Sequence, residues 1–204
     1  MMSVALTMRS DNVFGRSECR DSLDNRWFWL LEHFNASPIL LPNVGKHAEF
    51  ILASHKIDLI ILTGGGDISA ISGDVTERDA VEKICMLHSL REQIPVLGVC
   101  RGMQALVDFC GGELTKVSGH VASRHPVSWQ QHGEVNSFHE YGVSSLPVPL
   151  KSFATSLDGY IEGCFCPERK WVGLMWHPER EVPFSQSDLS LIHTLLKGDT
   201  PCVD

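Results

Sequence analysis

The sequence predicts an α/β fold: a mostly parallel central sheet with helices on both faces and a small antiparallel strand region. Three observations carry this reading. Strand-like and helix-like segments alternate through the first half of the chain, the order that builds a parallel sheet. Two of the strand-like segments are unbroken apolar runs, as strands covered on both faces are. From Gly112 onward the helical pattern lapses and short strand-like pieces follow one another.

The elements can be justified in turn. Val4 to Met8 is a short apolar strand. Asp21 to His33 places Leu23, Trp27, Leu30 and Leu31 at helical spacing. Pro38 to Pro42 is an apolar strand bounded by prolines, and Lys46 to His55 is helical. Asp58-Leu-Ile-Ile-Leu-Thr63 is the first continuous apolar strand, and it stops at Gly64-Gly65-Gly66. Thr76 to Gln93 is a helix of mixed charge. Pro95-Val-Leu-Gly-Val99 is the second buried strand, followed by a helix from Arg101 to Cys110. The strand-like pieces beyond are Glu113–Val117, Glu134–Ser137, Gly159–Phe165 and Trp171–Trp176, and Asp188 to Leu196 closes with a helix. Ligands in such folds bind at the carboxyl ends of the strands, where both glycine-rich features lie.

Composition narrows the function. The 204 residues suit one domain spanning 1–204, and 43% hydrophobic with 21% charged residues is a globular balance. No apolar run approaches the roughly 18 residues of a membrane span. The N-terminus lacks a signal-peptide pattern, so the chain reads as cytoplasmic. A net charge of −8 argues against a phosphate-tracking nucleic-acid surface, but leaves open a local basic pocket for a small anion. Seven cysteines, an odd number, read as reduced thiols. Cys164 and Cys166 are too closely spaced for a zinc knuckle. His120, His125, His132, His139 and His177 all fall in the second half of the chain and are scattered. None is assigned to a metal, and no cofactor is expected.

Gly98-Val99-Cys100-Arg101-Gly102 sits where a buried strand meets a helix, the cysteine form of a nucleophile elbow. The turn is sharp enough to strain the central residue, and the glycines on either side avoid the resulting clashes. The helix N-terminus favours thiolate, and the Arg101 amide points toward any oxyanion formed at the sulfur. Gln104 follows one helical turn later, on the same side. The bland alternative is a buried cysteine in a tight turn. A cysteine nucleophile needs an oriented base. His177-Pro178-Glu179, after the apolar strand Trp171–Trp176, offers one: in extended backbone His177 and Glu179 point the same way, so the carboxylate can fix the imidazole tautomer. The alternative is an exposed turn. Thr63-Gly64-Gly65-Gly66-Asp67 lets backbone amides approach a ligand closely, and neither nucleotide-binding glycine motif is present. Val135 to His139 reads as a strand and turn whose backbone can line a pocket.

Together these pieces resemble the class I glutamine amidotransferase superfamily, in its γ-glutamyl hydrolase branch (peptidase family C26). The matching segments are Asp58 to Ile68, Arg78-Asp79 with Glu82, Pro95 to Gln104, Gly111 to Leu114, Val135 to His139, Asp158 to Glu162 and Trp176 to Glu179. The resemblance implies a flavodoxin-like sheet and hydrolysis of a γ-glutamyl amide through a cysteinyl thioester. It implies Cys100 as nucleophile, His177 as acid and base, and Glu179 as orienter. It implies oxyanion donors at the amides of Gly65 or Gly66 and of Arg101, and a glutamyl site at Gln104 and the backbone of Ser137 and Phe138. Glu140-Tyr141 departs from the polyamine-pathway members. Glu18 to Trp27 is similar to a subgroup found with nucleotidyltransferases of surface-sugar pathways. That subgroup includes members that release glutamate and a cytidine diphosphoramidate from a γ-glutamyl-CDP-amidate. It would assign Arg16, Arg20, Arg26 or Arg124 to a phosphate-bearing leaving group; the alternative is that these are solvated surface charges. Two other readings stay open: a glutaminase subunit passing ammonia to a separate synthetase partner, and an inactive binding module.

Overall fold

The computed structural model describes residues 2–129 and 133–199, so His132 and Cys202 lie outside the described residues. Along the chain come β1 (Met2–Thr7), β2 (Arg9–Asn12), β3 (Cys19–Ser22), α1 (Arg26–Glu32), β4 (Ala36–Leu41) and α2 (Gly45–Ser54). Then follow β5 (Leu59–Leu62), α3 (Ser69–Ser72), α4 (Glu77–Glu92), β6 (Val96–Val99) and α5 (Arg101–Phe109). The second half holds β7 (Thr115–Lys116), β8 (Val121–Pro126), β9 (Glu134–Phe138), β10 (Tyr141–Gly142), β11 (Lys151–Thr155), β12 (Ile161–Cys166), β13 (Trp171–Leu174) and α6 (Gln186–Leu196).

Seven strands form the central sheet in the order β11-β12-β13-β6-β5-β1-β4. The five from β13 to β4 are parallel; β12 runs antiparallel to β13, and β11 to β12. Side-chain alternation divides the core between the two faces. Leu59 and Ile61 of β5 join Leu97 and Val99 of β6 against Trp27, Leu30 and Leu31 of α1 and Leu191, Ile192 and Leu195 of α6. Ile60, Leu62 and Val96 face the other way, onto residues of α2, α4 and α5. The unbroken apolar runs are the consequence of this double cover. Helix α4 begins with a capping box: the Asp79 amide donates to Thr76 Oγ1 at 3.2 Å, and the Thr76 amide donates to Asp79 Oδ2 at 2.8 Å.

The expected parallel sheet with helices on both faces is therefore present, and three small antiparallel pairs accompany it. The details differ in the ways tertiary contacts dictate. The helix expected from Asp21 begins at Arg26, because Cys19–Ser22 pairs antiparallel with Arg9–Asn12. Asp21 is drawn into that hairpin by accepting from the amide of Asn43 at 2.9 Å and from its Nδ2 at 2.7 Å. The strand expected at Glu113–Val117 shrinks to Thr115–Lys116. Strands β8 and β11 carry no clean alternation and were not expected; each pairs with a register shift that breaks the period of two.

Ile61 is fully buried between β1 and β6. Ile61→Ala is expected to cost about 2–5 kcal/mol of unfolding free energy. The measurement is a lower urea midpoint at unchanged slope. A midpoint equal to that of the unaltered chain would contradict the packing described.

Candidate active site

Three adjacent parallel strands end side by side, and the loops that leave them converge. β5 runs into Thr63–Gly66, β6 into Cys100, and β13 into His177. This is the carboxyl edge of the sheet, where strand dipoles and loop amides face outward.

Cys100 occupies the expected strained turn, with φ 52° and ψ −105°. Left-handed φ in a non-glycine residue costs energy and persists only when its surroundings hold it. Here they do. The Cys100 amide donates to Leu174 O at 2.7 Å. The flanking glycines are obligatory: a Cβ on Gly102 would lie 2.0 Å from Leu62 O, and one on Gly98 would lie 2.6 Å from the backbone of Gly102. Helix α5 can start at Arg101, directly above β5, only without those atoms.

His177 Nδ1 lies 2.7 Å from Glu179 Oε1, with both side chains buried. The route differs from the extended one expected. Pro178–Arg180 is a short 3₁₀ turn, so Glu179 reaches the imidazole across a turn. Asn136 holds the His177 backbone from the opposite strand: its Nδ2 donates to His177 O at 2.8 Å, and its Oδ1 accepts from the His177 amide at 2.9 Å. Burial pulls the imidazole pKa down. The charge of Glu179 and hydrogen bonding to Cys100 and Glu179 outweigh burial and raise it to about 9. Gly64 closes this side, since a Cβ there would lie 2.5 Å from His177 Cε1.

The triglycine loop is held from beneath by Arg78. Its guanidinium donates to the carbonyls of Thr63 and Gly65, each at 2.6 Å, and of Gly64 at 3.2 Å, while its Nε donates to Glu82 at 3.0 Å. Burial lowers the Arg78 pKa to about 10, Glu82 opposing, so the group stays charged at neutral pH. Glu82 also accepts from Arg101, whose other terminal nitrogen donates to Asp79 at 2.7 Å. With the carbonyls of Thr63, Gly64 and Gly65 turned down to Arg78, Gly65 and Gly66 adopt φ of 91° and 76° and line the same cavity as Cys100.

A cavity of about 340 Å³ opens over Cys100. Gly65, Gly66, Gln104, Phe138 and His177 line it, as expected, and Arg9 and Arg180 line it as well. A second cavity, of about 270 Å³, shares His177, Arg9 and Arg180 with the first and is also lined by Glu179. Gln104 Nε2 donates to Tyr141 O at 2.9 Å. Phe138 sets its ring edge-on to His177, with Arg180 stacked 4.6 Å away. Two residues expected to act through their backbones turn their side chains elsewhere. The Arg101 side chain points into the Glu82–Asp79 network. Ser137 donates to His120 O at 2.7 Å and does not line the cavity. The arginines considered for an anionic group are also elsewhere. Arg16 and Arg20 pair with Glu18, Arg26 with Asp24 and Arg124 with Glu181. Arg9 and Arg180 line the cavities, and no sequence pattern singled them out.

Comparison with known proteins matches residues 18–189 to the family glutamine amidotransferase class-I. The chain is 32% identical over 136 residues to the gamma-glutamyl-CDP-amidate hydrolase of Campylobacter jejuni, covering 65% of this chain and 68% of the relative. It is 24% identical to the gamma-glutamyl-gamma-aminobutyrate hydrolase of Escherichia coli O157:H7, covering 90% and 87% of the two chains. A solved glutamine amidotransferase from Thermotoga maritima shares the fold, with a TM-score of 0.65 at 18% identity over 95% of this chain and 82% of that one. Among the described residues no helix is long and apolar enough to cross a membrane.

Removing Glu82 would leave Arg78 and Arg101 buried without their shared counter-ion. Glu82→Ala is expected to destabilise the chain by about 3–5 kcal/mol, measured by urea unfolding. A loss within experimental error would mean the two guanidinium groups are not held as described.

Proposed function

The chain belongs to the class I glutamine amidotransferase family, and on that footing we propose that it hydrolyses a γ-glutamyl amide through a thioester on Cys100. The observation that carries this reading is the Cys100–His177–Glu179 alignment at the floor of a cavity lined by Gly65 and Gly66. Cys100 Sγ attacks the γ-carbonyl carbon. The oxyanion accepts from the backbone amides of Gly65 or Gly66 and of Arg101. His177 gives its proton to the leaving nitrogen as the C–N bond breaks, leaving the glutamyl thioester. Water then attacks, losing its proton to His177, and glutamate departs as the thiolate and imidazolium are restored. Gln104 and the backbone at Phe138 hold the glutamyl group.

The leaving group departs on the His177 side, toward the second cavity. Arg9 and Arg180 line both cavities. Two guanidinium groups there favour a phosphate-bearing leaving group, and the likeness to the Campylobacter enzyme supports the same choice. We therefore assign a γ-glutamyl-CDP-amidate as substrate, with glutamate and cytidine diphosphoramidate as products.

Glutamate release from glutamine, γ-glutamyl amines, a γ-glutamyl peptide and γ-glutamyl-CDP-amidate tests the assignment. The CDP-amidate is expected to be the best substrate, with Arg180→Ala raising its KM and leaving that of glutamine nearly unchanged. Slow release from glutamine alone, increased by a synthetase, would replace this reading with that of an ammonia-supplying subunit. Cys100→Ala is expected to abolish turnover, and Glu179→Gln to slow it less, because the carboxylate orients the imidazole without bonding to substrate. Equal losses would count against that division. Since the imidazolium is the acid and its pKa is raised to about 9, thioester formation should hold through neutral pH and fall as pH rises through about 9. A stopped-flow profile already falling near pH 6.5, the ordinary histidine value, would contradict the ion pair.

A further inference from the structure

Behind the strand that carries Phe138, three histidines and a glutamate meet at one point. His120 Nδ1, His125 Nε2 and His139 Nε2 approach Glu162 Oε1 to 3.5, 3.8 and 3.6 Å. The ring nitrogens of His120 and His139 are 3.3 Å apart, and all four atoms lie within 4.8 Å of one another. A tetrahedral zinc with bonds of about 2.0–2.1 Å sets its ligand atoms about 3.3–3.4 Å apart, so only small closures separate this cluster from a coordination shell.

Each ring is already held by its other nitrogen. His120 Nε2 faces Asp158 Oδ2 at 2.9 Å, His139 Nδ1 faces Tyr141 O at 3.1 Å, and His125 Nδ1 faces Pro126 O at 3.4 Å. Those partners are acceptors, so the protons sit on that side and the lone pairs point inward. This is the outer shell that orients histidine ligands to metals. Glu162 is 1% exposed, and neither of its oxygens nor His125 Nε2 has a hydrogen-bond partner. A buried carboxylate facing three imidazole lone pairs needs a cation between them.

We propose that His120, His125, His139 and Glu162 bind one zinc ion in a closed, four-coordinate structural site. Four protein ligands fill the tetrahedron, which distinguishes it from a catalytic site with an open position. Three imidazoles and one carboxylate suit zinc better than magnesium or calcium. The ion would fasten the hairpin of β8 and β9 to β12 of the central sheet. His139 shares the carbonyl of Tyr141 with Gln104, so the clamp would also steady the wall of the cavity over Cys100.

The test uses full-length chain purified without a metal-affinity step, stripped with a chelator, and titrated with zinc and with cobalt(II). Expected are one ion per chain, the intense visible absorption of four-coordinate cobalt without a sulfur-to-cobalt band, and a higher melting temperature with zinc. His125→Gln, checked for folding by circular dichroism, is expected to weaken zinc binding more than 100-fold, because outer-shell partners alone are worth about 10–100-fold. Asp158→Asn, at a half-exposed position, should fall within that smaller range. A wild-type chain that takes up neither ion, or cobalt that shows the sulfur band of cysteine ligation, overturns the proposal and leaves a proton-bridged histidine cluster. Unchanged affinity in folded His125→Gln overturns it as well. None of these readouts depends on activity, so the outcome is independent of the substrate assignment.

Discussion

A guanidinium withdrawn from water must find acceptors for its N–H groups, and Arg78 finds them in the carbonyls of Thr63, Gly64 and Gly65. That exchange fixes which way the triglycine loop faces. With its carbonyls turned into the protein, the loop offers its other side to the cavity. Glu82 neutralises Arg78 and reaches Arg101, so the loop after β5 and the elbow after β6 share one buried ion network. Its charges would be costly singly; together they lock two loops of the site to helix α4.

The elbow itself depends on the absence of atoms. Cys100 holds a left-handed backbone because α5 lies against β5 with no room for a Cβ at Gly98 or Gly102. Such strain is tolerated because the sheet on which it rests is packed on both faces and cannot relax locally. The sulfur is thereby presented at a fixed height above the carboxyl edge, close to a histidine that arrives from the adjacent strand β13.

His177 lines two cavities, the one over Cys100 and a second lined also by Glu179, and Arg9 and Arg180 line both. In the proposed reaction a histidine bordering both cavities suits amide cleavage, since the same nitrogen serves the departing amine and then the entering water. The imidazole keeps that position because Glu179 holds its ring and Asn136 its backbone. The zinc clamp proposed above would act one layer further out, on the strands that carry Phe138 and the Tyr141 carbonyl.

Local patterns in the chain were enough for the central sheet. Buried strands such as Leu59–Leu62 and Val96–Val99 announce themselves as apolar runs, because both their faces need cover, and Thr76 marks the start of α4 by its cap. The elbow and the triglycine turn were also legible, since a strained turn admits few residue types. Strands β8 and β11 were not, because irregular pairing erases the period of two; nor was the hairpin of β2 and β3, whose short polar strands are mostly exposed and carry no apolar alternation, nor the short turn that brings Glu179 to His177. Ser137 carried no sign that it would bond to a carbonyl behind the cavity, nor did Arg9 and Arg180 that they would line it. Arg78 and Glu82 stood in the sequence without a role until the loop above them was in place. Glu162 and the three histidines around it are spread over more than forty positions, and no linear spacing links them. Sequence determined the elements and the reactive residue types, because those depend on near neighbours. Which side chains share a site was decided only by the tertiary structure, because it depends on where the strands of one sheet edge end relative to one another.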